Sequence, residues 1–288
     1  VTEAGAGVAR LDTVLVRRGL ARSRTQAQAL VRDGRVHVDG VVVVKPSTPV
    51  DDGRDVTVHP GPTGGESDWI AAGWVGRGAL KLEHALTTWE PLGLRVRDRR
   101  CLDVGASTGG FTQALLRHGA AHVVALDVGH GQLDPRVAAH PDVDDLSGTN
   151  IRSTSLGTIG GPVGAAVVDV SFISARHVLA ALPPLLSEDA DVVLLVKPQF
   201  EVGPERLARD GVVRSAGLRQ EALATVLEAL PTHGLAPFGL VRSPLRGAGG
   251  NVEYLLWARP CRPGMMDWGL TPDDLASVRA QLRAEEET

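Results

Sequence analysis

The chain has 288 residues, 22% of them charged, and a formal net charge of −4, so a nucleic-acid partner must be met by a local basic patch rather than by overall charge. No apolar run reaches the ~18 residues of a membrane-spanning helix, and the opening VTEAGAGVAR lacks the charged-then-apolar pattern of a secretory signal. Cys101 and Cys261 lie far apart in apolar contexts and read as reduced, buried thiols of a cytoplasmic protein.

In chain order, residues 10–60 predict helix, helix, hairpin. RLDTVLVRRG places Leu11, Val14 and Leu15 on one helical face and stops at Gly19. SRTQ has the capping-box form, with Ser23 three residues before Gln26, and Ala27, Leu30 and Val31 continue the apolar stripe as far as Gly34. RVHVDGVVVV is two short β runs about an Asp39-Gly40 turn. Between residues 10 and 45 stand eight basic residues and three acids. Arg22 and Arg24 flank a helix N-terminus, where partial positive charge suits a phosphate.

GPTGGESDWIAAGW (61–74) reads as a linker, which sets the expected organisation: a small domain over 1–62, a linker over 63–74 and a large domain over 75–288. The large domain alternates strand and helix. Candidate strands are RCLDVG, HVVALDV, AAVVDVSF and DVVLLVKP, with helices TQALLRHG and ARHVLAALPPLL between them, which predicts a mostly parallel sheet covered on both faces. Two late β runs, 236–242 and 252–258, are too close for a helical crossover and predict an antiparallel pair at the sheet edge. The terminal AEEET reads as a frayed acidic tail.

LDVGASTGGFTQALL is a strand, a glycine turn and a helix, a geometry that lets a ligand approach backbone amides. A dinucleotide fingerprint would need glycine at 107, where Ser107 stands, and this disfavours NAD or FAD. Asp127 ends the next strand, where an acid can accept hydrogen bonds from ribose hydroxyls.

Only three of the thirty basic residues are lysines, Lys45, Lys81 and Lys197, a bias that makes each of them informative. Lys197 ends an aliphatic run and Pro198 stops the strand there, at the sheet edge where α/β ligands bind; Asp169 ends the preceding strand. Lys81 sits beside the helical face formed by Leu82, Ala85, Leu86 and Trp89, and Glu253 opens a late strand. Arginine keeps its proton in a protein, whereas a buried lysine can lose one.

Asp103 before Gly105, with Gly109 and Gly110 after, resembles the loop of S-adenosylmethionine methyltransferases. The wider set GRGALKL, DVGASTGGFT, DVGHGQL, TNIR, DVSFIS, LVKPQFEVG and GNVEYLLW resembles the haemolysin A-type (TlyA) family of ribosomal RNA 2′-O-methyltransferases, with an FtsJ-like catalytic domain. The first unit, with GLxxSRxxAxxLV and VxVDG, resembles the αL RNA-binding domain of ribosomal and RNA-modifying proteins. The resemblance implies a Rossmann-like α/β methyltransferase preceded by a small α+β RNA-binding domain. It implies S-adenosylmethionine as cofactor, ribosomal RNA or ribosomal subunits as partner with cytidine ribose as target, and neither a metal nor a membrane. It places a catalytic set on Lys81, Asp169, Lys197 and Glu253. Cofactor contacts fall on Asp103, Gly105, Ser107, Gly109, Gly110, Phe111, Asp127 and Asn150, and RNA contacts on Arg10, Arg22, Arg24, Lys45 and Arg77.

Three stretches depart from the family pattern. Gly76 stands where the family often has serine, Ser147-Gly148 where it usually has an acid and an arginine, and Asp134-Pro135 where it tends to carry an aromatic and basic residues. Asp144 and Asp145 are the acids available to compensate for the second change. An RNA-binding protein with a degenerate methyltransferase domain is the competing reading.

Overall fold

The computed structural model describes residues 8–21, 24–59, 70, 72–261 and 269–287. The chain divides into two compact units between Arg77 and Gly78. Among the described residues no helix is long and apolar enough to cross a membrane. Arg22, Ser23 and most of the 61–74 stretch lie outside the described residues.

The first unit runs β1 (Ala9–Arg10), α1 (Leu11–Arg17), α2 (Arg24–Arg32), β2 (Val36–Val38), β3 (Val41–Val42), β4 (Pro49–Val50) and β5 (Val56–Val58). β2 is central in a three-stranded antiparallel sheet, between β3 and β5, while β1 pairs with β4. Leu11, Val14 and Leu15 from α1 pack with Ala27, Leu30 and Val31 from α2 and with valines of the sheet. Burial of each large aliphatic contributes roughly 1.5–3 kcal/mol.

One carboxylate organises the polar side of this unit. Asp12 has no exposed surface, yet it accepts hydrogen bonds from Arg10 Nε (3.0 Å) and Nη2 (2.8 Å) and from Gln28 Nε2 (2.9 Å), with Arg24 Nε at 3.4 Å. The hydrogen bonds from Arg10 hold its carboxyl well below the usual carboxylate range. A depressed folded value means that the stabilisation is present above the unfolded value of about 3.9 and is lost as pH falls through the folded one. Asp12→Asn is expected to cost about 2 kcal/mol at neutral pH, read as lost amide-exchange protection across residues 11–17, with the gap to the parent closing in strong acid.

The second unit contains α3 (Gly78–Trp89), β6 (Arg100–Val104), α4 (Gly110–Arg117), β7 (His122–Asp127), α5 (Pro135–Ala138), β8 (Val143–Ser147) and α6 (Leu156–Ile159). It continues with β9 (Val163–Val168), α7 (Ala175–Leu179), β10 (Leu186–Val196), α8 (Ala216–Thr232), β11 (Leu235–Arg242), β12 (Tyr254–Pro260) and α9 (Pro272–Glu287). Seven strands form one sheet in the order β11-β12-β10-β9-β6-β7-β8. β6 through β10 pair in parallel, while β12 runs antiparallel to both β10 and β11. Aliphatic runs such as VVLLV are buried because helices cover both faces. Chain order reverses between β6 and β9, so a crevice opens at their carboxyl ends.

Three expectations are corrected. β8, with sequence VDDLS, extends the sheet by a strand that its two adjacent acids conceal. The acidic C-terminal stretch continues α9 through Glu287 rather than fraying. Cys101 is buried and free as expected, but Cys261 is only half-buried.

Candidate active site

Strand ends bring the site together at the carboxyl edge of the sheet. Asp169 follows β9, Lys197 follows β10, and Glu253 precedes β12, whose Tyr254 registers opposite Val196. Lys197 Nζ lies 2.6 Å from Asp169 Oδ1. That contact is ionic and lacks the alignment of a hydrogen bond, which Nζ donates instead to Ser171 Oγ at 2.9 Å. The Phe200 ring lies beneath the ammonium, 5.9 Å from centroid to Nζ. An ammonium has three donors, so capacity remains for a further oxygen.

The second lysine makes a second pair. Lys81, on the first turn of α3, donates to Glu253 Oε2 at 2.5 Å, and the two residues are 5% and 2% exposed. The sequence placed Lys81 beside the apolar face; the structure buries it, because its counter-ion arrives from 172 positions away. Gly247 leaves room for that carboxylate, since a Cβ there would stand 2.0 Å from Glu253 Oε1. Gly78, one turn before Lys81, faces Asp169: a Cβ would lie 3.7 Å from its Oδ2. The two lysine–carboxylate pairs thus border the same rim.

Beside them is a cleft of about 570 Å³ at the chain reversal, lined by residues that include Gly105, Ser107, Asp127, Asn150, Asp169 and Phe172. Gly105 is left-handed, and a Cβ there would collide with the Asp169 carbonyl at 2.4 Å. Glycine therefore lets the ends of β6 and β9 approach. Asp127 accepts from the Ser107 and Gly129 amides, both at 2.8 Å, and so fixes the loop's shape. Asn150 lines the cleft and accepts from the Arg152 amide. Gly109 caps α4 in left-handed geometry, against Leu133 and Val137, and Gly110 begins the helix; neither lines the cleft. Phe111 is buried, packed against Gly78.

Asp103 lies behind the loop, not in the cleft. It has no exposed surface, accepts from Thr112 Oγ1 at 2.6 Å through Oδ2, and leaves Oδ1 without a partner. Burial, followed by repulsion from Asp169 and Asp127, pushes its carboxyl up to about 7 despite the Thr112 bond. Between about pH 4 and 7 the folded state thus keeps a proton that the unfolded chain has released, so this residue's contribution to stability falls as pH rises. Asp103→Asn should therefore gain on the parent by up to about 4 kcal/mol between pH 4 and 8 in urea unfolding. A constant difference across that range would refute the protonation assignment.

The expected RNA-facing residues belong to the first unit. Arg10 and Arg24 converge on Asp12, and Lys45 and Arg77 are exposed. The substitute acids are engaged elsewhere: Asp144 pairs with His122 at 2.8 Å, and Asp145 accepts from Ser147. Asp134 caps α5 through the Arg136 amide. The sequence reading missed Phe172. This residue is 92% exposed at the cleft, has a φ of +65°, and meets the Phe200 ring in a tilted contact at 5.4 Å. A bulky residue held left-handed and open to solvent is costly, and such strain concentrates at functional sites. In sequence, VSFIS reads only as a continuing strand.

This sheet order, a glycine turn at the chain reversal and a rim of lysine–carboxylate pairs define an FtsJ-like methyltransferase. The family model of that description matches residues 74–260, and an S4 domain matches residues 9–56. The chain belongs to the TlyA family. It is 49% identical to the 16S/23S rRNA (cytidine-2′-O)-methyltransferase TlyA of Mycobacterium tuberculosis, over 87% of this chain and 90% of that one. It is 36% identical to the candidate rRNA methyltransferase YqxC of Bacillus subtilis, over 86% and 84%. The solved structure of a candidate hemolysin from Streptococcus thermophilus superposes with a TM-score of 0.70 at 33% identity, covering 98% of both chains.

Proposed function

We propose that this chain transfers a methyl group from S-adenosylmethionine to a cytidine ribose 2′-hydroxyl of ribosomal RNA. The observation that carries this reading is the pair of buried lysine–carboxylate contacts at the rim of the cleft. The cleft's own chemistry fits the cofactor. Two carboxylates, Asp127 and Asp169, line it, and among the described residues no arginine or lysine does, which suits a ligand with a sulfonium, an ammonium and ribose hydroxyls and disfavours a phosphate. Leu126, Val128, Ile151 and Ile173 offer apolar surface to an adenine ring.

The bound cofactor supplies an electrophilic methyl group. Lys197 contacts the 2′-oxygen either as a neutral amine that takes its proton or as an ammonium that stabilises the developing negative charge while the proton passes to water, and Asp169 orients Lys197 from the cleft side. Lys81 and Glu253 form the adjoining wall and fix the local field. Phe172 offers the nucleobase a stacking face. In the first unit, Arg10, Arg24, Lys45 and Arg77 meet backbone phosphates, which gives affinity without sequence readout. Such a substrate places the protein in the cytoplasm, with the ribosomes.

The test is methyl transfer from labelled S-adenosylmethionine to purified unmethylated ribosomal subunits, followed by mapping of ribose methylation. One or two cytidines modified in stoichiometric amounts are expected. Tight cofactor binding without transfer to either subunit would instead identify an RNA-binding protein with a degenerate catalytic domain.

A further inference from the structure

A second concavity, chemically opposite to the cofactor cleft, lies at the same edge of the sheet. It measures about 230 Å³ and is lined by Arg214, Arg219, Arg242, Arg246, Gly250 and Val252, together with Val212 and Val213. Four guanidinium groups thus come from the end of β11, the β11–β12 turn, the loop before α8 and the first turn of α8. Among the described residues no carboxylate lines it. Asp210 binds Arg214 on the exposed side.

The walls are fixed to one another. Asn251 accepts from the Val213 amide at 2.9 Å and donates to the Gly211 carbonyl at 2.9 Å, which ties the loop to the turn. Arg219 is 7% exposed, and its Nη1 donates to the carbonyls of Val213 (3.1 Å) and Arg214 (2.8 Å). Arg246 Nη1 donates to the Gly250 carbonyl at 3.0 Å. Four guanidinium groups therefore face one small concavity, and the carboxylate that meets Arg214 reaches it from the exposed side. Such a cluster is unfavourable until an anion arrives.

Its place in the fold says which anion. Arg242 registers opposite Tyr254, and the Ser243 amide donates to the Glu253 carbonyl at 2.9 Å. The arginine pocket and the Lys81–Glu253 pair therefore share one stretch of backbone. We infer that this pocket binds a backbone phosphate of the RNA strand close to the nucleotide being methylated. The inference rests on the rRNA reading above. Arginine forks match phosphate oxygens in pairs, and the volume suits one tetrahedral oxyanion with some of its water. A phosphate gripped one strand away from Glu253 sets the position of the target ribose along the rim.

The test is the double variant Arg242→Ala/Arg246→Ala in the full chain. Neither side chain is in the core, and neither belongs to the catalytic set. Affinity for purified ribosomal subunits should fall about tenfold, and the slope of log K against log salt should shrink by about one, with S-adenosylmethionine affinity unchanged. The loss should appear in KM for subunits more than in kcat. Inorganic phosphate, without RNA, should raise the melting temperature of the parent more than that of the variant. Arg242→Lys/Arg246→Lys should restore most of the salt slope and less of the affinity. An unchanged slope with unchanged affinity, or an identical phosphate response in parent and variant, would overturn the inference. If the parent methylates no subunit while the two proteins still differ in their phosphate response, the rRNA reading fails and the anion pocket stands.

Discussion

Lys197→Met is expected to cut methyl transfer by about 10²–10⁴-fold while leaving cofactor binding unchanged. Nζ is the group at the rim that already contacts Asp169 at 2.6 Å and Ser171 at 2.9 Å and still has a donor to spare. A thioether of similar length fills the slot but carries neither charge nor proton. Lys197→Arg is the sharper variant. It keeps a positive charge, removes any capacity to accept the 2′ proton, and forces a planar fork into a site that is 9% exposed above Phe200. Single-turnover transfer to ribosomal subunits is the measurement. A Lys197→Arg enzyme working within a factor of about ten of the parent would show that charge alone suffices and would remove a base role.

Lys81→Met is expected to cost about 3–5 kcal/mol in urea unfolding, because it strands the Glu253 carboxylate at 2% exposure beneath Gly247. The double variant Lys81→Met/Glu253→Gln should recover at least half of that loss, since no unpaired charge remains buried. Activity should stay low in both. Recovery of stability without recovery of turnover separates the pair's role in the reaction from its role in holding the fold. If the double variant proves no more stable than the single one, the buried charge is not the source of the loss.

The parts of this architecture that were legible in sequence share a cause. Central parallel strands are covered on both faces, so VVALD and VVLLV appear as unbroken aliphatic runs. Lys197 was legible because a lysine is rare here and a proline ends its strand. What stayed hidden depends on partners distant in the chain. Lys81 reads as a solvent-facing helical residue until Glu253 is brought against it by the antiparallel turn of β12. Asp103 sits inside the loop motif and reads as a ligand contact, but strand alternation turns it inward to Thr112. β8 was missed because both of its consecutive acids are exposed, as an edge strand allows, so it shows no aliphatic run. The arginine pocket was invisible because its four arginines span positions 214–246 and none of them lies in a motif.

The carboxylate of Asp12 has a consequence for how the first unit would meet its partner. Arg10 is gripped through Nε and Nη2 before any RNA is present, so much of its rotational freedom has already been surrendered during folding. A guanidinium held in this way loses less disorder when a phosphate docks on its remaining edge. Calorimetry of subunit association should accordingly show a smaller entropic penalty for the parent than for Asp12→Asn, with the difference growing as both proteins are warmed.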